Sequence, residues 1–191
     1  MKTAGIVLAG GQSSRYGRPK MFERYKEKPF YEHSVDALRA NGLQPIILST
    51  NRFLADRFDR AGFELVVETT THQGPLFALH HVISQFKEPE WFVVLSADIP
   101  FVREAFIRQL LLHRHPDYSA IVPAEGAKLQ PLVALYHRRC LPYMNETLGE
   151  GKKSLLALLH RIPFKTVSFQ DEPSFININT PLDFHKYKEN Q

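Results

Sequence analysis

Residues 8–20, Leu-Ala-Gly-Gly-Gln-Ser-Ser-Arg-Tyr-Gly-Arg-Pro-Lys, set adjacent glycines at Gly10 and Gly11 before three cations, Arg15, Arg18 and Lys20. Such a combination suits a polyphosphate. Glycines admit positive φ and let backbone N–H groups approach anionic oxygens, while guanidinium and ammonium groups bring full charge. The spacing departs from the two commonest phosphate loops. A Walker loop needs Gly-x4-Gly-Lys-Ser/Thr. A dinucleotide fingerprint needs Gly-x-Gly-x-x-Gly and an acid closing the second strand, where this chain has Ser49-Thr50-Asn51. The alternative is an exposed Gly/Ser turn that binds nothing.

Asp98 is the second candidate. The apolar run Trp91 to Leu95 delivers Ser96-Ala97-Asp98-Ile99-Pro100, placing a carboxylate at the lip of a buried strand. A hard oxygen there suits Mg2+ bound to phosphates; the same residue could instead cap the following helix. Asn177 and Asn179 alternate onto one side of an extended segment, as candidates to complete a metal shell or orient a leaving phosphate, or for ordinary turn hydrogen bonding. Nine histidines and one cysteine show no His-x3-His or Cys-x2-Cys pair, and there is no Gly-x-Ser-x-Gly elbow. Gly149 to Ser154 lacks the first glycine of a P-loop, which leaves a basic loop carrying Lys152 and Lys153.

These residues need a scaffold that gathers strand ends. Apolar strand-like runs at 5–8, 45–49, 64–67, 91–95, 119–122, 132–136 and 164–169 alternate with amphipathic stretches at 30–40, 52–61, 75–86 and 103–114. That order predicts an α/β chain with a mostly parallel sheet, whose ligands bind beyond the carboxyl ends of the strands. The stretch 141–160 reads as mostly helical, and Thr180-Pro181-Leu182-Asp183 predicts the cap of a final helix. At 191 residues and 43% hydrophobic content, one domain spanning 1–191 is expected. No apolar run approaches the roughly 20 residues that span a bilayer, and the single Cys140 excludes an internal disulfide, so a cytoplasmic protein is expected. The net charge of +4 is scattered, favouring anionic small molecules over nucleic acid.

Taken in order, the 8–20 motif, Gly74-Pro75-Leu76, Asp98-Ile99-Pro100, Gln130-Pro131-Leu132 and Asn177-Ile178-Asn179-Thr180-Pro181 resemble the molybdenum cofactor guanylyltransferases. The likeness spans nearly the whole chain, and its first and last motifs are the specific ones. It implies a three-layer sandwich with a twisted, Rossmann-like nucleotidyltransferase fold, and an enzyme that joins GMP from GTP to the terminal phosphate of molybdopterin, releasing pyrophosphate with Mg2+. It further implies that Leu8, Ala9 and Gly10, with Gly11 beside them, contact GTP through the backbone, that Lys20 binds phosphates, and that Asp98 touches nucleotide and metal. Arg15 would steady the triphosphate and Asn179 would be the second-choice metal ligand. Gln130, Lys152, Lys153 and Asn177 would face the acceptor, and a cofactor-insertion or delivery protein is a further candidate partner. The family often closes its second strand with asparagine and its third with aspartate, where this chain offers Ser49 and Glu68. Glu68 keeps a carboxylate for ribose or base. The alternatives are another nucleotidyltransferase, cytidylyl to molybdopterin or a nucleotide to a sugar or alcohol phosphate, and a nucleotide-binding regulator without chemistry.

Overall fold

A computed structural model describes residues 1–11, 13–70 and 73–188; Gln12 of the glycine-rich motif lies outside the described residues. Ten strands are described: β1 (Thr3–Leu8), β2 (Arg24–Tyr25), β3 (Lys28–Pro29), β4 (Ile46–Asn51), β5 (Glu64–Glu68), β6 (Trp91–Ser96), β7 (Ala120–Glu125), β8 (Lys128–Leu129), β9 (Ala134–His137) and β10 (Phe164–Ser168). The helices are α1 (Phe30–Ala40), α2 (Pro75–Gln85), α3 (Glu104–Leu111), α4 (Leu141–Gly149), α5 (Leu155–Leu159) and α6 (Pro181–Lys188). The main sheet runs β10-β7-β9-β6-β1-β4-β5, with β8 hairpinned to β7. β6, β1, β4 and β5 are mutually parallel, as are β7 and β10, while β9 runs antiparallel between β6 and β7.

Helices cover both faces, which is why the central strands read as unbroken apolar runs. Along β6, Trp91, Val93 and Leu95 enter one core with Val35 and Leu38 of α1 and Phe106 and Leu110 of α3. The intervening Phe92 and Val94 enter the other, with Leu79 and Val82 of α2 and Leu155 and Leu158 of α5. The three-layer α/β sandwich is therefore built on the twofold alternation of its strands. Among the described residues no helix is long and apolar enough to cross a membrane.

A third, aromatic cluster joins Tyr16 and Tyr25 to Phe30, Phe101, Ile178 and Phe184. It pins the loop after β1 to the C-terminal segment, far apart in sequence. The cap of α6 forms as expected: Thr180 Oγ1 accepts from Asp183 N at 3.1 Å, and Asp183 Oδ2 accepts from Thr180 N at 2.8 Å and Asn179 N at 3.1 Å. Burial acts to raise the Asp183 carboxyl pKa, but the hydrogen bonds from Thr180 and Asn179 overcome it and leave it lowered.

Two expectations fail locally. The helix at 52–61 is absent, and only a short 3-10 turn at Ala55–Arg57 forms there. Asn51 Oδ1 accepts from Phe53 N at 2.9 Å and Asp59 Oδ1 from Ala61 N at 3.2 Å, so side-chain turns take the backbone donors that a helix would use. The strand expected at 132–136 starts at Ala134, because Val133 N closes a turn onto Gln130 O at 3.1 Å.

Candidate functional site

A cavity of about 460 Å³ opens at the carboxyl edge of the parallel strands. Its walls come from the ends of β1 (Leu8, Gly10, Gly11), β5 (Glu68) and β6 (Ser96, Ala97, Asp98), from the loop at 13–15 with Lys20, and from Gly74, Pro75 and Asn179. Segments distant in sequence thus meet where β-strand topology places ligands.

Neither Gly10 nor Gly11 has the positive φ expected from sequence; Gly10 is needed for close approach, whereas a Cβ on Gly11 would meet nothing within 4 Å. A Cβ on Gly10 would stand 2.7 Å from Glu68 Oε1. Among the described residues of the loop, Ser13 (φ 51°) and Gly17 (φ 78°) are left-handed; the Ser13 carbonyl accepts from Tyr16 N at 2.9 Å and its Oγ accepts from Lys20 N at 3.2 Å. Ala9 stays out of the cavity: its N–H donates to Ser49 O at 2.8 Å and its carbonyl accepts from Thr50 Oγ1 at 3.1 Å. Arg15 lines the cavity. Arg18 turns away and pairs with Glu23.

Ser49 does not close the second strand. β4 continues to Asn51, which pairs in register with Glu68, and Asn51 Nδ2 donates to Gly10 O at 3.1 Å. The asparagine that the resemblance anticipates is present two residues later. Ser49 instead donates to Glu68 Oε1 at 3.4 Å.

Burial raises the Glu68 carboxyl pKa, only partly opposed by the Ser49 hydrogen bond. A group whose folded-state pKa is raised contributes stability in acid and loses it as pH climbs through that pKa. Glu68→Gln is therefore expected to melt a few degrees above the parent at pH 8 and to lose that advantage towards pH 4, while binding nucleotide more weakly. Thermal melts across pH and nucleotide titrations check both halves.

On the opposite wall, Lys20 Nζ lies 2.6 Å from Asp98 Oδ2 and 3.1 Å from Asn179 Oδ1, with the two charged side chains only 13% and 18% exposed. Ser96 Oγ donates to Asp98 Oδ1. The Ser96 carbonyl accepts from Ser34 Oγ at 3.0 Å, and the Asp98 carbonyl accepts from Ile178 N at 3.0 Å. Asp98 is not a helix cap; Arg103 occupies that position for α3, without a side-chain cap bond. Asn179 and Asp98 present hard oxygens to a single cation, the donor chemistry of a divalent ion that also takes phosphate ligands. Among the described residues no group of three or more His, Cys, Asp or Glu is placed to hold a metal.

The residues expected on the acceptor side are dispersed. Gln130 is buried and outside the cavity lining. Asn177 also lies outside it, its Oδ1 buried without a hydrogen-bond partner. Lys152 pairs with Glu150 at 2.8 Å. Lys153 acts through its backbone, its carbonyl accepting from Leu76 N at 3.2 Å beside the cavity wall. There Gly74 (φ 85°, ψ 172°) occupies a region that only glycine adopts readily, and a Cβ on it would lie 2.9 Å from Lys153 Cβ and carbonyl oxygen. Gly74→Ala is accordingly expected to cost about 2–4 kcal/mol and to lower the melting temperature by roughly 5–15 °C. Calorimetry checks it.

Sequence reasoning missed Asn51 and Ser96. Asn51 was hidden by a strand boundary drawn too early. Ser96 carried a signal, a hydroxyl two residues before the candidate carboxylate.

The MobA-like NTP transferase domain matches residues 5–163. A Geobacillus protein named "Probable molybdenum cofactor guanylyltransferase" is 34% identical over 96% of each chain. One of the same name from Bacillus subtilis is 33% identical over 99% of this chain and 96% of its own. Among solved structures, molybdopterin-guanine dinucleotide biosynthesis protein A from Archaeoglobus fulgidus superposes with a TM-score of 0.80 at 22% identity, over 100% of this chain and 98% of its own. That structural likeness concerns the fold.

Proposed function

Since the chain belongs to the MobA-like NTP transferases and, among them, to the molybdenum cofactor guanylyltransferases, we propose that its cavity holds GTP over the Gly10–Lys20 loop. The protein is a nucleotidyltransferase that moves a guanylyl group from GTP in molybdenum cofactor biosynthesis. In this reading the whole chain, 1–191, works as one domain, and the terminal phosphate of molybdopterin attacks the α-phosphate in line as pyrophosphate leaves. One observation carries it: Lys20, Asp98 and Asn179 converge within hydrogen-bonding distance opposite a glycine turn at the carboxyl edge of the sheet.

Phosphoryl transfer of this kind asks a protein for position and charge more than for covalent help. Leu8, Gly10 and Gly11 bring backbone to the nucleotide, and Glu68 accepts from its ribose or base. Arg15 and Lys20 bind the triphosphate and counter the charge of the leaving pyrophosphate. Asp98 and Asn179 would hold Mg2+, which when bound neutralises phosphate oxygens. The attacking phosphate is already ionised near neutral pH, so no side chain is needed as general base. The acceptor enters past Gly74 and Pro75, where the loop carrying Lys152 and Lys153 abuts the wall.

The test is to mix purified protein with molybdopterin, Mg2+ and each of the four NTPs separately. Pyrophosphate release matched by the guanine dinucleotide product, with GTP strongly preferred, is expected. Equal or better use of CTP would overturn the choice of GTP as donor, and no release with any NTP would overturn the catalytic reading.

A further inference from the structure

Lys20 stands where a metal ion would. Its ammonium lies 2.6 Å from Asp98 Oδ2 and 3.1 Å from Asn179 Oδ1, the two side-chain oxygens assigned above to the divalent cation. The other carboxylate oxygen, Asp98 Oδ1, is engaged by Ser96, so Oδ2 is left for the cation. Magnesium binds oxygen at about 2.0–2.1 Å. An ion bonded to Asp98 Oδ2 and Asn179 Oδ1 would fall inside the volume that the ammonium fills, and two cations at that separation repel strongly where the side chains are largely buried.

We propose that Lys20 is the resident counter-ion of the metal site in the nucleotide-free protein, so that a divalent cation is admitted only when a triphosphate draws the lysine away. The inference rests on Asp98 and Asn179 being the metal-binding pair. The side chain suits such an exchange, because an ammonium on a flexible four-carbon stem can move from carboxylate to phosphate without backbone change. Main-chain anchorage is independent of that movement: Lys20 N stays bonded to Ser13 Oγ at 3.2 Å. With the lysine shifted to phosphate, Asp98 Oδ2 and Asn179 Oδ1 are released together. Triphosphate and metal then bind with positive coupling, each raising the affinity for the other by the same factor.

Mn2+ binding to the full chain, followed by electron paramagnetic resonance of the free ion, tests this without turnover. The nucleotide-free parent is expected to bind no Mn2+ through Asp98 at concentrations where Lys20→Met binds one ion, an affinity gain of about tenfold or more, and Lys20→Met/Asp98→Ala is expected to lose that gain. A parent protein that takes up one Mn2+ without nucleotide, sensitive to Asp98→Ala, overturns the proposal; this measurement needs no Lys20 variant. So does a folded Lys20→Met that binds Mn2+ no better than the parent. The underlying site is judged separately with Mn2+ and GTP together: if Asp98→Ala leaves binding of that complex unchanged, the metal-site reading itself fails. If it weakens the complex while Lys20→Met shows no gain, only the counter-ion role fails.

Discussion

Asp98→Ala is expected to lower kcat by about 10³ at saturating GTP and Mg2+ while leaving the protein folded. The carboxylate is the anionic member of the Lys20–Asp98–Asn179 group, and on the proposed reading its loss removes the charged ligand of the ion that would neutralise the phosphates. Structural support for the segment survives, because the bond from Ile178 N to the Asp98 carbonyl is made by backbone. Asp98→Asn sharpens the result. It retains shape and a partner for Ser96, so a melting temperature near the parent's together with a comparable loss of kcat would isolate the charge as the cause. Parental turnover in either folded variant would end the metal assignment.

Lys20→Met is expected to reduce kcat/KM by roughly 10²–10⁴, with both affinity and rate affected. A lysine that contacts phosphate in ground and transition states alike raises KM when lost; one that also counters charge on leaving pyrophosphate lowers kcat. Arginine should not rescue it. The planar guanidinium fork does not reproduce the compact point charge that an ammonium brings to phosphate from a largely buried position. Steady-state kinetics of the two variants, with inhibition by pyrophosphate as a second readout, separate the contributions. A Lys20→Met enzyme changed in KM alone would restrict the residue to ground-state binding.

Much of the scaffold was legible because both of its signals are local. Strands β1 and β6 are buried on both faces and appear as largely apolar runs, and α1 begins and ends at the residues that its pattern predicts. The stretch at 52–61 misled because its composition suits a helix, whereas its Asx turns and the burial of Leu54 and Phe58 in the core hold it otherwise. Asn51 was misplaced for a different reason: where a strand ends depends on its partner, and β4 runs on because Asn51 has Glu68 beside it.

By itself the sequence determined the class of chemistry: a glycine turn with cations after the first strand, a carboxylate after a central one, and an asparagine before a capped helix. Residue types and short spacings suffice for that, since they set which groups leave a strand end and on which side. Only the tertiary structure decided which of them meet. It turned Arg18 to Glu23, kept Lys20 for Asp98, and separated Asn179 from Asn177. Lys20 and Asn179 are 159 residues apart, and the distance between their side chains is set by packing of the aromatic cluster and the sheet, which no local pattern encodes.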